Sequence, residues 1–238
     1  MITRISLPFS DVHYDVAPGK VIALGLNYRS HIDESDTVDV QGFTQEEPEE
    51  PILFPKLPTS IIGNEDLIRI PSILHEYGFE EERTDYEGEL AVIIGRGGKH
   101  IPVSEALQHV LGYTCANDIS QRNIQNADRS GWFRGKSFDT FLPLGPILVP
   151  ADQIEDPQNL EITTRLNGTV VQKSNTRHMI FPVAETIAFI SRNMTIEEGD
   201  IILTGTPAGI GHLTSGDTVS VEISGIGTLT NSVVYGDT

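Results

Sequence analysis

Short runs of β-branched and aliphatic residues recur along the chain, and glycine and proline residues separate them. Runs of this length and composition predict strands. They cover residues 21–24, 90–94, 147–149, 162–166, 201–204, 219–223 and 228–235. Helical spacing is clearest over residues 183–194 and weaker over residues 103–110. Because the predicted strands outnumber the helices, the sequence indicates a mainly-β protein with a few helices, an α+β fold.

The domain organisation is simple. The 238 residues contain no repeat of about 20 to 50 residues and no linker rich in glycine, serine or proline. We therefore expect one domain over residues 1–238, with residues 1–19 as a short N-terminal extension. Residues 35–50 show neither strand nor helix spacing and contain four glutamates. A charge run of this kind is typical of solvated surface, and the alternative is a lid loop that closes over a site.

The composition excludes several classes of partner. Asp and Glu total 34 against 16 Lys and Arg, so the formal net charge is −18, and such a field repels a polyphosphate backbone. We therefore expect no nucleic-acid partner. Apolar runs are far shorter than the roughly 20 residues of a membrane span, so no membrane association is expected. A single cysteine, Cys115, and a start without a signal-peptide pattern predict a cytoplasmic protein.

The strongest chemical signal is a pair of glutamates, Glu87 and Glu89, beside the predicted strand at residues 90–94. If the strand pattern extends back to Glu87, these two carboxylates point the same way, about 7 Å apart, because side chains of a strand alternate between faces. Two carboxylates aimed into a fold repel each other unless a cation lies between them. Oxygen ligands favour Mg²⁺ or Mn²⁺, with Ca²⁺ as a further option, over zinc. The alternative is an exposed strand edge with both carboxylates in water.

Residues 114–125 place an acid, a guanidinium and an amide at helical spacing. If a helical turn begins near Asp118, then Asp118, Arg122 and Gln125 share one face. The acid can complete a carboxylate metal site, while Arg122 and Gln125 can hold a substrate carboxylate or a developing oxyanion. The alternative is a surface helix whose N-terminal Asp pairs with the arginine four residues later.

Two further segments supply a base and a positive charge. His31 and Glu34 are three residues apart, so on a helical turn the carboxylate can orient the imidazole and let it take a proton from water. Lys136, in a chain with only five lysines, can supply positive charge to an enolate. Alone, the first is more often a surface pair and the second an ordinary loop lysine. The glycine-rich stretches 95–100 and 204–211 lack the spacing of nucleotide-binding loops, and no G-x-S-x-G sequence is present.

Six segments in this order carry a wider pattern. They are Asn27-Tyr28-Arg29-Ser30-His31 with Glu34, Asp85-Tyr86-Glu87-Gly88-Glu89-Leu90, Asn117-Asp118-Ile119-Ser120-Gln121-Arg122, Gly135-Lys136-Ser137-Phe138-Asp139, Phe181-Pro182-Val183-Ala184-Glu185, and Gly199-Asp200-Ile201-Ile202-Leu203-Thr204-Gly205-Thr206-Pro207-Ala208-Gly209. With these segments, the chain from about residue 20 to about residue 235 resembles the fumarylacetoacetate hydrolase family. One such string could arise by chance, whereas six in the family's order make the resemblance specific.

The resemblance implies a mixed β-sandwich roll that binds Mg²⁺ or Mn²⁺, in some members Ca²⁺, and forms a homodimer. The roles that it implies are metal binding for Glu87, Glu89 and Asp118, water activation for His31 and Glu34, substrate and oxyanion binding for Arg122, Gln125 and Lys136, and substrate-carboxylate binding for Thr206. Residue 24 is Leu, where the enzyme that names the family has a further Asp ligand. We therefore expect water in place of that ligand.

Three functional hypotheses follow. The first is a metal-dependent hydrolase that cleaves a carbon–carbon bond in a small β-diketo acid, of acylpyruvate or fumarylpyruvate type. The second keeps the metal but changes the reaction to decarboxylation of oxaloacetate, or to isomerisation and decarboxylation of a hydroxyhepta-diene-dioate. The third is a noncatalytic metal-binding homologue. The first two predict a small anionic oxo acid as the substrate.

Overall fold

The computed structural model describes residues 5–34, 46–128 and 132–237. In chain order the strands are β1 (Ile5–Phe9), β2 (Val12–Val16), β3 (Val21–Gly25), β4 (Ile52–Lys56), β5 (Ile61–Ile62), β6 (Leu67–Ile70), β7 (Thr84–Tyr86), β8 (Gly88–Ile94), β9 (Val110–Asn117), β10 (Ser120–Gln121), β11 (Leu142–Pro150), β12 (Glu161–Leu166), β13 (Thr169–Asn175), β14 (Ile201–Leu203), β15 (Gly211–His212), β16 (Thr218–Ile223) and β17 (Gly227–Tyr235). The α-helices are α1 (Arg29–Glu34), α2 (Val103–Ala106), α3 (Arg122–Ala127), α4 (Phe133–Lys136) and α5 (Val183–Asn193). Short 3-10 turns cover Pro58–Ser60, Ser72–Tyr77, Leu107–His109, Ala151–Gln153 and Thr176–His178.

A seven-stranded sheet lies at the centre of the fold, with its strands in the order β4-β3-β14-β8-β9-β11-β5. The middle strand β8 is antiparallel to both of its neighbours, β14 and β9. Every residue of β8 is buried. A strand covered on both faces needs an almost continuous apolar sequence, which explains the run that follows Glu89.

A five-stranded sheet, in the order β13-β12-β16-β17-β6, packs against one face of the central sheet. The core between them includes Leu90, Val92 and Ile94 of β8, Ile162 of β12, Val221 and Ile223 of β16, and Val183, Ile187 and Ile190 of α5. The opposite face of the central sheet packs against the hairpin β1-β2, through Ile5, Leu7 and Val16. A small third sheet, in the order β10-β7-β15, lies at the end of β8 where the two glutamates are found.

The structure confirms the predicted class, a mainly-β protein with a few helices. Each predicted strand overlaps an observed one, and the helix expected over residues 183–194 is α5. The weaker helical pattern over residues 103–110 is only partly helical, because α2 ends at Ala106, a 3-10 turn follows, and Val110 already belongs to β9. Across the described residues, no helix is long and apolar enough to span a membrane.

The predicted lid, residues 35–50, falls mostly on residues 35–45, which lie outside the described residues. The part that the structure describes, residues 46–50, carries four glutamates that are all exposed to solvent. This end of the segment therefore matches the interpretation as charged surface.

Candidate metal centre

Three carboxylates meet where β8 begins and β9 ends. Gly88 pairs with Asn117 across these strands, so Glu87 and Glu89 flank the pair on one side and Asp118 follows it on the other. The N–H of Asp118 donates to the carbonyl of Glu87 over 2.8 Å and fixes this corner. All three side chains are buried, and one carboxylate oxygen of each lies within 4.8 Å of the other two. The burial excludes the exposed strand edge that was the alternative interpretation.

Asp118 reaches this corner by a different route from the predicted one. The expected helical turn starting at Asp118 is wrong, because Ser120–Gln121 form the strand β10 and helix α3 begins only at Arg122. Pairing of β10 with β7 holds these two residues extended. Asp118 and Arg122 therefore enter one site from the end of a strand and the start of a helix, and not from one helical face.

Arg122 links the acid cluster to its surroundings. Its Nε donates to Asp85 Oδ2 over 2.9 Å, its Nη1 donates to Gln125 Oε1 over 2.9 Å, and its Nη2 donates to Glu87 Oε1. Burial disfavours the charged guanidinium, but the carboxylates of Glu87 and Asp85 outweigh this effect and raise the pKa of Arg122. Arg122 is therefore a permanent cation in a buried, hydrogen-bonded setting, which is the form that can bind an anion.

Lys136 is buried in the same cluster. Its ammonium donates to Glu87 Oε2 over 2.5 Å and to Asp118 Oδ2 over 2.8 Å, and it lies 5.0 Å from the centre of the Phe54 ring. Burial opposes its charge, but Asp118 and Glu87 outweigh burial and raise its pKa. An ammonium has three donors, and hydrogen bonds to described residues engage two of them.

A second lysine, Lys56 at the end of β4, was not selected from the sequence. Its ammonium donates to Asp118 Oδ1 over 2.5 Å and to the carbonyl of Ile119 over 3.3 Å, and its side chain is inaccessible to solvent. Burial lowers the pKa of Lys56 despite the opposing effect of Asp118, and Lys136 lowers it further. A signal existed in the sequence, since lysine is rare in this chain and this one ends an apolar run.

The carboxylate of Glu89 differs from its two neighbours. Its Oε2 accepts the N–H of Gly205 over 2.6 Å, and within the described ranges no lysine or arginine forms an ion pair with it. Burial, reinforced by the carboxylates of Asp118 and Glu87, raises its pKa well above the usual range. A pKa raised in this way is expected for a carboxylate of an acidic metal site without its metal ion, because no cation offsets the repulsion between the buried carboxylates. These oxygen donors fit Mg²⁺, Mn²⁺ or Ca²⁺.

The predicted dyad lies on the short helix α1. His31 Nδ1 is 3.3 Å from Glu34 Oε1, and His31 is buried. The Glu34 carboxylate accepts the N–H of Gly209 at 2.9 Å and that of Ile210 at 3.4 Å. Although burial alone would raise the pKa of Glu34, the hydrogen bonds from His31 and Gly209 lower it. Glu34 is therefore held ionised, with one oxygen against the imidazole.

A small cavity of about 20 Å³ collects most of the predicted site residues, and this volume is room for one water molecule or one ion. The predicted residues that line it are His31, Glu87, Glu89, Arg122, Gln125, Lys136 and Thr206, together with the apolar side chains of Leu24, Leu26, Phe54 and Trp132. Asp118 joins them through Lys136, and Glu34 through His31. The structure thus brings all nine predicted residues into one connected site, and their individual roles stay predictions.

Thr206 lines the cavity with its hydroxyl already engaged. The hydroxyl donates to the carbonyl of Gly88 over 2.9 Å and accepts from Gln172 Nε2 over 2.8 Å. A hydroxyl has only one hydrogen to donate, so it cannot also donate to a substrate carboxylate without releasing Gly88. The predicted contact of Thr206 with a substrate would need the backbone N–H or a change of hydroxyl partner.

The sequence matches the fumarylacetoacetate (FAA) hydrolase C-terminal family over residues 20–234. A protein of Archaeoglobus fulgidus described as uncharacterized is 48% identical over 219 residues, which cover 92% of this chain and 80% of that protein. A mitochondrial oxaloacetate tautomerase of Rattus norvegicus is 42% identical over 224 residues, which cover 91% of this chain and 67% of the rat protein.

The comparison with solved structures points to the same family. The fumarylpyruvate hydrolase of Pseudomonas aeruginosa, in complex with Mn²⁺ and pyruvate, superposes with a TM-score of 0.84 at 30% identity, covering 98% of this chain and 96% of that one. The 5-carboxymethyl-2-hydroxymuconate delta-isomerase of Mycobacterium smegmatis superposes with a TM-score of 0.79 at 40% identity, covering 94% and 82%. The resemblance that the six segments indicated is confirmed, and the chain belongs to the fumarylacetoacetate hydrolase family.

Proposed function

We propose that this protein is a divalent-metal-dependent hydrolase that cleaves the carbon–carbon bond of a small β-diketo acid of acylpyruvate or fumarylpyruvate type. The observation that carries the proposal is the His31–Glu34 pair, which lies against the cavity that the acid cluster also lines. Hydrolysis needs an activated water beside a group that stabilises an enolate, and this cavity combines a base with an acidic metal-binding cluster. A homodimer and a cytoplasmic location remain part of the proposal.

The metal would be held by Glu87, Glu89 and Asp118, and Mg²⁺ or Mn²⁺ suits their oxygens best. When bound, such a cation polarises the 2-oxo group and stabilises negative charge on the enolate. The residues of the chain supply the remaining functions. The third N–H of Lys136, with the guanidinium of Arg122 and the amide of Gln125, would bind the oxygens of the oxo acid.

His31 is the residue placed to move protons. With Glu34 held against one ring nitrogen, the other nitrogen of His31 is the one free to act as a base. In the proposed reaction it takes a proton from water, and the water oxygen bonds to the distal ketone carbon. The bond between that carbon and the adjacent methylene then breaks, its electron pair passes into the pyruvate enolate, and a proton from His31 completes the pyruvate methyl group.

The test measures the disappearance of acetylpyruvate and fumarylpyruvate with Mn²⁺ present, and again after chelation with EDTA. We expect turnover that requires the metal and that falls by about 100-fold or more in His31→Ala. His178→Ala is the matched control, because His178 is exposed and its ring nitrogen lies 3.4 Å from Ser174 Oγ, outside the proposed site. Full turnover in chelated protein, or in His31→Ala, would contradict the proposal.

Tautomerisation of a 2-oxo diacid is a second candidate, and the 42% identity with a mitochondrial oxaloacetate tautomerase favours it. This reaction moves one proton between carbon and oxygen and needs no attacking water, so the same base and acid cluster suffice. The ultraviolet absorbance of enol-oxaloacetate distinguishes the two: rapid decay of the enol signal without release of pyruvate supports the tautomerase. Adding decarboxylation and isomerisation substrates to the panel tests the remaining reactions, and no turnover with any of them supports a noncatalytic homologue.

A further inference from the structure

One loop touches both halves of the site. We call residues 204–210 the bridging loop. Near its start, the N–H of Gly205 donates to Glu89 Oε2 over 2.6 Å. Near its end, the N–H of Gly209 donates to the Glu34 carboxylate over 2.9 Å. The loop therefore links Glu89 of the acid cluster to Glu34 of the His31–Glu34 pair.

Gln172 holds the middle of the bridging loop, although it belongs to β13 in the other large sheet. Its Nε2 donates to Thr206 Oγ1 and to the carbonyl of Pro207, each over 2.8 Å. Its Oε1 accepts the N–H of Gly88 over 3.0 Å. Only 1% of Gln172 is exposed, so no water competes for these bonds. One amide thus joins the loop to the residue that lies between Glu87 and Glu89.

Gly88 and Gly209 also pack closely against the five-stranded sheet. A Cβ atom at Gly88 would lie 2.2 Å from Thr164 Oγ1 on β12, and a Cβ atom at Gly209 would lie 2.0 Å from the carbonyl oxygen of Val171 on β13. Both glycines are therefore in direct contact with the five-stranded sheet. The sheet supports the metal-binding strand at Gly88 and the dyad-binding end of the loop at Gly209, with Gln172 between them.

From these contacts we infer that Gln172 is a positioning residue, which sets the separation between the metal-binding carboxylate of Glu89 and the His31–Glu34 pair. The catalytic part of this inference rests on the proposed reaction, and the metal-binding part rests only on the proposed metal site. Among the described residues, the hydrogen bonds of the Gln172 side chain reach Gly88, Thr206 and Pro207 and none of the carboxylates of Glu87, Glu89 and Asp118. It acts through Gly88 and the bridging loop.

The test replaces the amide with an isosteric apolar side chain, in Gln172→Met. We expect Mn²⁺ affinity, measured by calorimetry without substrate, to fall about tenfold, as for other residues that orient metal ligands. At saturating Mn²⁺ we expect kcat to stay about tenfold to 100-fold below the wild-type value, while KM changes less than about threefold. The variant alters the relative positions of the site residues and not the contacts that bind the substrate. Hydrogen exchange of the Gly209 and Ile210 amides should accelerate, since their contact with Glu34 loosens.

Gln158 supplies a matched control. It makes the same kind of bridge, with its Nε2 donating to the carbonyl of Thr176 and its Oε1 accepting the N–H of Val183. Gln158→Met should lower the melting temperature without changing Mn²⁺ affinity, kcat or exchange in the bridging loop. If Gln172→Met folds poorly, Gln172→Asn withdraws the same amide by one methylene, and we expect the same pattern at smaller amplitude.

The measurements on Gln172→Met distinguish a positioning role from an ordinary role in the core. If Gln172→Met loses melting temperature but keeps wild-type Mn²⁺ affinity, loop exchange and kcat, Gln172 is an ordinary core residue and the inference is overturned. If wild-type protein cleaves no oxo acid, the proposed function fails, while weaker Mn²⁺ binding and faster loop exchange in Gln172→Met still support the positioning role.

Discussion

Glu87 and Glu89 are two residues apart and have carboxylate oxygens within 4.8 Å of each other, yet their pKa values move in opposite directions. Burial opposes the charge of both. At Glu87 the cations of Arg122 and Lys136 outweigh burial and lower the pKa. At Glu89 burial acts together with the negative charges of Asp118 and Glu87. The metal-free site therefore favours a protonated Glu89 beside an ionised Glu87.

This asymmetry predicts how metal-free protein responds to pH. An acid whose pKa is raised by folding makes the protein less stable as pH rises above the unfolded value, 4.5 for glutamate. We expect the free energy of unfolding of wild type to fall as pH rises above about 5, relative to that of Glu89→Gln, which cannot ionise. Glu87 adds no slope in this range, because stability from a lowered pKa is lost only as pH falls through the folded value.

Urea denaturation of both proteins at several pH values measures this difference. The control is Glu222→Gln, since Glu222 is a partly exposed carboxylate that pairs with Arg165. Saturating Mn²⁺ should remove the pH-dependent loss of unfolding free energy in wild type. In Glu89→Gln we expect the affinity for Mn²⁺ to fall by more than about 100-fold. Parallel stability curves for wild type and Glu89→Gln without metal would show that Glu89 is ionised there.

Lys56→Met is expected to destabilise the metal-free protein. Asp118 accepts from Lys56 on one oxygen and from Lys136 on the other. The variant therefore removes one of the two lysine charges that pair with this buried carboxylate. Removing one partner of a buried ion pair costs about 3–5 kcal/mol. Lys173→Met is the control, because Lys173 is exposed and should change stability by less than about 0.5 kcal/mol. Equal denaturation midpoints for the two variants would argue against a structural charge at Lys56.

A comparison of two glycines with almost the same φ angle distinguishes the effect of backbone strain from the effect of a steric clash. Gly209 has φ +98° and Gly216 has φ +97°, but only the Gly209 position would place a Cβ atom against another group, 2.0 Å from the oxygen of Val171. Both alanine variants incur the backbone strain, about 1–3 kcal/mol. Gly209→Ala must in addition push the loop from the sheet, so we expect a larger loss of stability and at least a tenfold loss of kcat. Unchanged kcat in Gly209→Ala would show that the loop position is not critical.

The sequence predicted the site best where function depends on neighbours in the chain. Glu87 immediately precedes β8 and Glu89 lies within it, while His31 and Glu34 share one helical turn, so closeness along the chain brings each pair together. The same reasoning failed for Asp118, because helical spacing was assumed where a strand pair with β7 holds the chain extended. Spacing can place residues correctly only after the element type is right.

Long-range contacts could not be predicted in this way. Lys56 lies 62 residues from Asp118, and Gln172 lies 84 residues from Gly88, so no periodicity connects them. Their positions follow from the packing of two sheets, which depends on the whole chain. A buried lysine or glutamine also looks like a surface residue in a sequence, since both are usually exposed. The bridging role of these side chains therefore became visible only in three dimensions.

The net charge of −18 gives the last prediction. The buried cluster is largely compensated, because Lys56, Lys136 and Arg122 pair with its acids, so most of the surplus lies elsewhere in the chain. Like charges on a surface destabilise the compact state, and salt shortens their reach from about 10 Å at 0.1 M to about 3 Å at 1 M. We expect the melting temperature to rise as KCl increases over this range. The triple variant Glu47→Gln, Glu49→Gln and Glu50→Gln, at exposed glutamates, should melt higher at low salt and respond less to KCl. Sucrose at matched osmolarity controls for exclusion effects, and a melting temperature that is flat in KCl but raised by sucrose would rule out surface repulsion as the cause.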